Sequence, residues 1–179
     1  MLPDGRKEVK RLSVDFIVSS LQPLPFDGPA PYTWEQFLAL LPPDLDVPDV
    51  EAGTGSARWR DLETQLRNAL ATARGGERFC RPATGCDLYW QNRVTAAFQE
   101  KDPLKRETLL DRIWWDAAGE LTPAASPLSH GALETYAIRL RIVLKRSRIA
   151  KETGDAVFGR LTAAADNIVL DDKEIASFH

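Results

Sequence analysis

The sequence predicts an all-α protein, folded as a single-domain bundle of about six helices, and three observations support this prediction. Apolar residues recur at helical spacing in several long segments. Capping residues precede these segments, and proline or glycine follows them. The chain has 179 residues, of which 44% are hydrophobic and 27% are charged, which is the size and composition of one globular domain.

The first predicted helix begins after Thr33, whose side chain can form a capping box with Gln36, three residues later. Pro42 and Pro43 end this helix, because proline lacks the backbone N–H and clashes with the preceding turn. Its apolar face consists of Trp34, Phe37, Leu38 and Leu41. This face is predicted to pack on the rest of the protein.

The second and third predicted helices span residues 57–74 and 87–100. Gly75 and Gly76 end the second helix, as glycine commonly does at a helix C-terminus. The apolar stripes are Trp59, Leu62, Leu66, Ala69, Leu70 and Ala73 in the second helix, and Trp90, Val94, Ala97 and Phe98 in the third. Both helices are therefore expected to contribute one face to the core.

The fourth predicted helix has the clearest start, with Asp102 as an acidic N-cap and Pro103 at the first helical position. It ends near Gly119. The fifth helix is the longest and spans residues 132–151, with two apolar stripes that predict contacts on two sides. A shorter sixth helix is predicted over residues 153–165.

The remaining segments carry weaker signals. Residues 14–21 fit either a helix or a minor N-terminal strand, because they combine helical spacing with β-branched residues. Residues 1–12 form a basic N-terminal leader, and residues 42–56 are predicted to be a mobile acidic loop. The economical interpretation is one helical domain over residues 1–179.

Bulk properties indicate a cytoplasmic protein. The N-terminus has no apolar stretch of the length that a signal peptide needs. No apolar stretch approaches the roughly 20 residues that span a bilayer. Two cysteines are too few for a disulfide framework. The net charge of −3 argues against a general attraction to nucleic acid, which is not expected as a partner.

Candidate residues for chemistry are few. Cys80 and Cys86 are the only cysteines, and a zinc site would need two more ligands, for which only His130 and His179 are available. His130 has no nucleophile or carboxylate near it in a catalytic pattern. The segment at residues 52–58 lacks the lysine of a phosphate-binding loop. We therefore expect no catalytic residue, no metal site and no cofactor.

The long helix carries the strongest charge feature. Residues 139–151 contain six basic residues and no acidic ones. One interpretation is a solvated face whose cations complement the helix dipole, and the other is a docking surface for an acidic partner. The candidate partner-binding residues on this helix are Arg139, Arg141, Lys145, Arg146 and Arg148. Trp115 joins them, because an exposed tryptophan there would serve as an interface anchor, although core packing is its default role.

Three motifs resemble a bacterial family of uncharacterised proteins associated with V/A-type rotary ATPases. They are FIVSSLQPLPFDGPAPYTWEQFLALLP at residues 16–42, DPLKRETLLDRIWWDAAGEL at residues 102–121 and LETYAIRLRIVLKRSRIAKETGDAVF at residues 133–158. They follow one another in the family's order and are distributed along most of the chain. That family looks like a shortened relative of the V/A-ATPase stalk subunit called C, or d in eukaryotes. This chain is too short for the three repeated helical units of those subunits.

The resemblance implies a non-catalytic subunit or an assembly factor of an ion-translocating rotary ATPase. Its expected partners are subunits of the central stalk or of the membrane rotor ring. It would be cytoplasmic and peripheral to the inner membrane, held there by protein contacts. The alternative from the residues alone is a stand-alone helical adaptor that binds RNA or an acidic protein through the basic helix at residues 132–151.

Overall fold

A computed structural model describes residues 13–42, 45, 47, 55–85 and 87–149. Over these residues the chain is all-α and contains no strand, which confirms the predicted fold class. The helices are α1 (Val14–Ser20), α2 (Trp34–Ala39), α3 (Ala57–Ala73), α4 (Leu88–Ala97), α5 (Pro103–Gly119) and α6 (130–149), with a short 3₁₀ turn at Glu77–Phe79.

The ambiguous N-terminal segment is a helix. Ser13 caps α1, since its hydroxyl accepts a hydrogen bond from the backbone N–H of Phe16 at 3.3 Å. Ile17 is the residue of α1 that is buried. The strand alternative for this segment was therefore wrong, because local capping and one buried contact favour the helix.

The capping box predicted at the start of α2 is confirmed. The Thr33 hydroxyl accepts from the Gln36 N–H at 3.2 Å, and the Gln36 side chain accepts from the Thr33 N–H at 2.8 Å. Trp34 and Phe37 are buried as expected. Leu38 was expected on the same face but is 42% exposed, because only the side of α2 that carries Trp34 and Phe37 packs on the protein.

Helices α3, α4 and α5 pack on one another and supply most of the core. Their N-caps are Ser56, Asp87 and Asp102, and each cap side chain accepts a backbone N–H of the first turn. The core residues of these helices include Trp59, Leu62, Leu66, Trp90, Val94, Leu110, Ile113 and Trp115. Helical period in the sequence therefore identified the faces that meet in the core.

Helix α6 is connected to the other helices at both polar and apolar positions. The buried Glu134 carboxylate accepts the Ser56 N–H at 2.7 Å, at the start of α3, where the helix dipole favours a negative charge. The Thr135 hydroxyl donates to the Ala118 carbonyl at 2.8 Å, near the end of α5. Both apolar stripes of α6 are buried within residues 130–143, at Leu133, Ala137, Ile138, Leu140, Ile142 and Val143. The predicted contacts on two sides are thus present.

The chain divides into two compact units, Met1–Val143 and Leu144–His179. The second unit is described only over residues 144–149, the last residues of α6. The predicted leader at residues 1–12, most of the acidic loop at 42–56 and the predicted helix at 153–165 lie outside the described residues. Among the described helices, none combines the length and apolarity that crossing a bilayer requires.

Two tyrosines hold the segment between α1 and α2. The Tyr136 hydroxyl donates to the Gln22 carbonyl at 3.0 Å, and the Gln22 N–H donates to the Tyr32 hydroxyl at 3.2 Å. The Tyr136 ring stacks on Phe37 with the ring centroids 5.6 Å apart. Burial, with a smaller contribution from Tyr32, raises the pKa of Tyr136 to about 12.

This raised pKa predicts a loss of stability at alkaline pH. The unfolded chain releases the Tyr136 proton near pH 10, before the folded chain does. The contribution is therefore fully present below about pH 10 and is lost as the pH rises towards 12. Tyr136→Phe should flatten this part of the pH dependence, at the cost of one hydrogen bond worth about 1 kcal/mol. Urea unfolding of the wild type and of Tyr136→Phe at pH 8 and pH 11 measures the free energy of unfolding of each. If both proteins lost the same stability between pH 8 and pH 11, the contribution of Tyr136 would be refuted.

Candidate functional site

Arginine side chains stack on aromatic rings throughout the described part of the chain. Seven arginines make eight such contacts, with the guanidinium carbon 3.9–6.0 Å from the ring centroid. Significant contacts of this kind occur roughly once per 70–80 residues in proteins. Many of the arginines that look like surface charge in the sequence therefore take part in packing.

Arg139, a predicted partner-binding residue, is half-buried against α5. Its guanidinium lies 4.7 Å from the centroid of the Trp115 ring, and its Nε donates to the Trp115 carbonyl at 3.0 Å. Burial lowers the pKa of Arg139, while the nearby Asp116 carboxylate acts in the opposite direction. These contacts give Arg139 a place in the packing between α5 and α6.

Arg141 and Trp115, two further predicted residues, are also placed in packing contacts. The Arg141 guanidinium carbon lies 3.9 Å from the centroid of the Trp34 ring, on α2. Trp115 is only 8% exposed and meets the Phe26 ring edge to face, with the centroids 5.3 Å apart. Trp115 thus has its default role in the core and offers a partner little surface.

The last three predicted residues belong to the unit Leu144–His179. Lys145 and Arg146 are partly buried, and Arg148 is exposed. Arg139 and Arg141 lie against two different tryptophans, so they do not share one open face. The partner-binding role of this helix stays a prediction, and Arg148 is its most accessible residue.

A different basic surface lies on α3, which we call the α3 arginine groove. It encloses a half-open cavity of about 220 Å³. Its lining side chains are Thr64, Arg67, Asn68, Arg74, Phe79 and Arg81, together with Leu70 and Ala71. Three arginines and one aromatic ring thus surround a small apolar patch.

The groove forms because the chain turns sharply after α3 and then runs back along it. Gly75 has a φ of +72°, a left-handed conformation that glycine adopts without strain. The Asn68 side chain then holds Arg81 by two hydrogen bonds, donating to its carbonyl at 2.7 Å and accepting from its N–H at 2.8 Å. The segment that runs back along α3 forms one wall of the groove, and the backbone of Arg81 anchors this wall to α3.

Two more side chains of α3 hold the same returning segment. Asp61 accepts the Thr84 N–H at 2.6 Å, and Gln65 accepts the Asp87 N–H at 2.9 Å. The hydrogen bonds from Thr84, followed by that from Gln65, lower the pKa of Asp61. The Asp61 carboxylate thus accepts a hydrogen bond from the backbone of this segment, and together with Gln65 it holds Thr84 and Asp87 beside α3.

The arginines of the groove differ in the contacts that they make within the described structure. Arg67 is paired with the buried Glu63 at 2.7 Å, one turn earlier on α3. Arg74 is exposed and lies 6.0 Å from the Phe98 ring. Arg81 is exposed, and its backbone makes the contacts described above. Phe79 is 67% exposed, with Arg78 over its ring at 4.9 Å. Two exposed guanidinium groups and an exposed ring are therefore available to a ligand.

The groove was not predicted from the sequence, although the sequence contains a signal for it. Arg60, Arg67 and Arg74 are seven residues apart, a spacing that places them on one face of a helix. The interpretation weighed the density of charge along residues 139–151 instead. Neither the helical spacing nor the density of charge reveals that Arg81 returns to the same face, because its position depends on the turn at Gly75.

Of the residues considered for metal binding, the structure describes Cys80 and His130. Cys80 is exposed, and its Sγ lies 3.7 Å from the Asn68 carbonyl. His130 is exposed at the start of α6, and Cys86 lies outside the described residues. In the part of the chain that the structure describes, no three potential metal ligands come together. The expectation that the protein works without a metal stays a prediction.

Comparison with protein-family models, with curated proteins and with solved structures finds no match to this chain.

Proposed function

We propose that the protein is a non-catalytic docking component of a V/A-type ion-translocating rotary ATPase, as a subunit or as an assembly factor. Docking is supported by the α3 arginine groove, a basic surface that includes an exposed aromatic ring and is held to α3 by hydrogen bonds. Arginine and aromatic residues are the types most enriched in protein interfaces. The choice of partner is supported by the three sequence motifs, which resemble a family associated with V/A-type rotary ATPases.

The dimensions of the groove favour a protein partner over a small substrate. Its volume of about 220 Å³ lies below the roughly 300–1,000 Å³ of sites that enclose a small molecule or cofactor. A shallow site of this size accommodates one or two side chains of a partner, whose remaining surface lies outside it. The proposed function therefore involves contact with another protein and requires no bound cofactor.

The partner follows from the family that the motifs resemble. The proposed partners are subunits of the central stalk or of the membrane rotor ring. Contact with such subunits would hold the protein at the cytoplasmic face of the inner membrane through protein surfaces alone. Exposed cations would also speed the encounter with an acidic partner surface.

One observation favours a second candidate function, a stand-alone adaptor that binds RNA. Phe79 is exposed beside arginines, and single-stranded nucleic acid binds by stacking bases on such rings next to cations. The net charge of −3 weighs against this candidate, because it weakens the general attraction to phosphates.

Affinity capture from the native host tests the proposal. The tagged full chain is expressed at native level, captured with and without nuclease treatment, and its partners are identified by mass spectrometry. We expect subunits of the rotary ATPase to be enriched over a tag-only control, with or without nuclease. Recovery of RNA-binding proteins that nuclease removes would support the second candidate, and the absence of ATPase subunits would contradict the first.

A further inference from the structure

We propose that the α3 arginine groove binds an extended acidic segment of a partner protein. Carboxylates of this segment pair with Arg74 and Arg81, and an apolar side chain of the segment packs against Phe79. The inference deepens the proposed docking function and rests on it for the biological partner. Binding of the acidic segment itself can be measured separately.

The acidic character of the ligand follows from the groove's charges. The carboxylate of Glu63 already neutralises Arg67, so Arg74 and Arg81 carry the positive charge that remains available along the groove. A guanidinium group presents a planar fork of N–H donors that matches a carboxylate with two parallel hydrogen bonds. The Asn68 clamp fixes the backbone of Arg81, which limits the ordering that binding must impose on this wall.

The extended form of the ligand follows from the geometry of α3. Arg67 and Arg74 are seven residues apart, which corresponds to about 10 Å along a helix axis. An extended chain advances about 3.3 Å per residue, so roughly three residues cover the same length. A short extended segment can therefore run along the groove and place carboxylates at Arg74 and Arg81, which line the same cavity, while an apolar residue lies over Phe79.

The apolar part of the site favours a peptide over a nucleic acid. Leu70 and Ala71 are partly buried in the groove, and they add aliphatic surface beside the Phe79 ring. Acidic groups also lie close along the chain, at Glu63 on α3 and at the exposed Glu77 in the 3₁₀ turn. A continuous row of phosphates would meet these carboxylates, whereas a peptide can place apolar or neutral residues there.

Binding of a defined probe tests the chemistry of the groove. The probe is a fluorescein-labelled peptide in which pairs of glutamates alternate with single leucines, and its binding to the purified full chain is followed by anisotropy. We expect the same peptide with glutamine in place of glutamate to bind at least about tenfold more weakly. Equal binding of both peptides, or tighter binding of a labelled oligouridylate, would overturn the inference.

Matched variants locate the binding site. The double variant Arg74→Glu, Arg81→Glu should weaken binding of the glutamate peptide by about tenfold or more, because it replaces attraction by repulsion. The control Arg58→Glu, Lys105→Glu changes the net charge by the same amount at exposed positions outside the groove, and should change binding by less than about twofold. Equal losses in the two variants would show a non-specific charge effect and refute the groove.

Phe79→Ala examines the apolar contact without altering charge. Phe79 is 67% exposed, so removal of its ring should leave helicity and the melting temperature unchanged. The affinity for the glutamate–leucine peptide should fall several-fold. An all-glutamate peptide should lose little affinity for this variant. If Phe79→Ala binds both peptides as the wild type does, the apolar part of the site is wrong.

Affinity capture with the groove variant separates this inference from the proposed function. If the wild type and the Arg74→Glu, Arg81→Glu protein recover rotary ATPase subunits equally, the groove is not the docking surface and the proposed function stands. If the groove binds the peptide as expected but the wild type recovers no ATPase subunit, the partner assignment fails and the peptide site stands.

Discussion

Arg139→Glu should destabilise the protein by about 3 kcal/mol, because it leaves a carboxylate half-buried where a guanidinium was bonded. The Arg139 guanidinium covers the Trp115 ring, and its Nε donates to the Trp115 carbonyl at 3.0 Å. A glutamate at this position would face that carbonyl oxygen and the neighbouring Asp116 with charge of the same sign. Urea unfolding followed by circular dichroism measures the change.

Arg148→Glu is the matched control on the same helix. Arg148 is exposed, and substitutions at exposed positions usually change stability by about 0.5 kcal/mol or less. If Arg139→Glu proved as mild as Arg148→Glu, the stack on Trp115 would contribute little. The pair of variants also guides the binding experiments, because charge reversal at Arg139 changes both stability and surface charge, whereas reversal at Arg148 changes the surface charge with little effect on stability.

Trp59→Ala should cost roughly 3–5 kcal/mol, the range for removing a large buried aromatic side chain. Trp59 is fully buried in the first turn of α3 and belongs to the core cluster. Its indole Nε1 makes no hydrogen bond within the described structure. Trp59→Phe should therefore cost only about 1 kcal/mol, since it removes ring volume without breaking a hydrogen bond.

Thermal and urea unfolding of the two Trp59 variants measure this contrast. A loss in Trp59→Phe as large as that in Trp59→Ala would mean that the indole N–H has a partner after all. The experiment also bears on the groove, because Trp59 fixes the buried face of the helix whose other face carries Arg67 and Arg74.

Local signals in the sequence predicted the fold well. The capping box at Thr33 and the acidic cap with proline at Asp102 each depend on residues within one turn, and both are as expected. The apolar stripe from Trp59 to Ala69 likewise identified the buried face of α3. Such features are predictable because neighbours along the chain determine them.

The surface chemistry was harder to predict, because it depends on contacts between residues far apart in the sequence. Arg139 lies within a run of cations, but its role depends on Trp115, 24 residues earlier on another helix. The α3 arginine groove requires the turn at Gly75 and the clamp between Asn68 and Arg81. Neither pairing can be read from helical spacing, so the charged residues were assigned to solvent or to a partner by density alone.

The arginine–aromatic stacks have a consequence for which amino acids the chain tolerates. Lysine carries the same charge as arginine but lacks the flat, delocalised group that lies over a ring. An exchange for lysine would keep the formal charge but lose the planar group that stacks on the ring. This applies to Arg112 over Phe26, Arg139 over Trp115 and Arg141 over Trp34. Arginine is therefore favoured over lysine at these positions, although the two side chains carry the same formal charge.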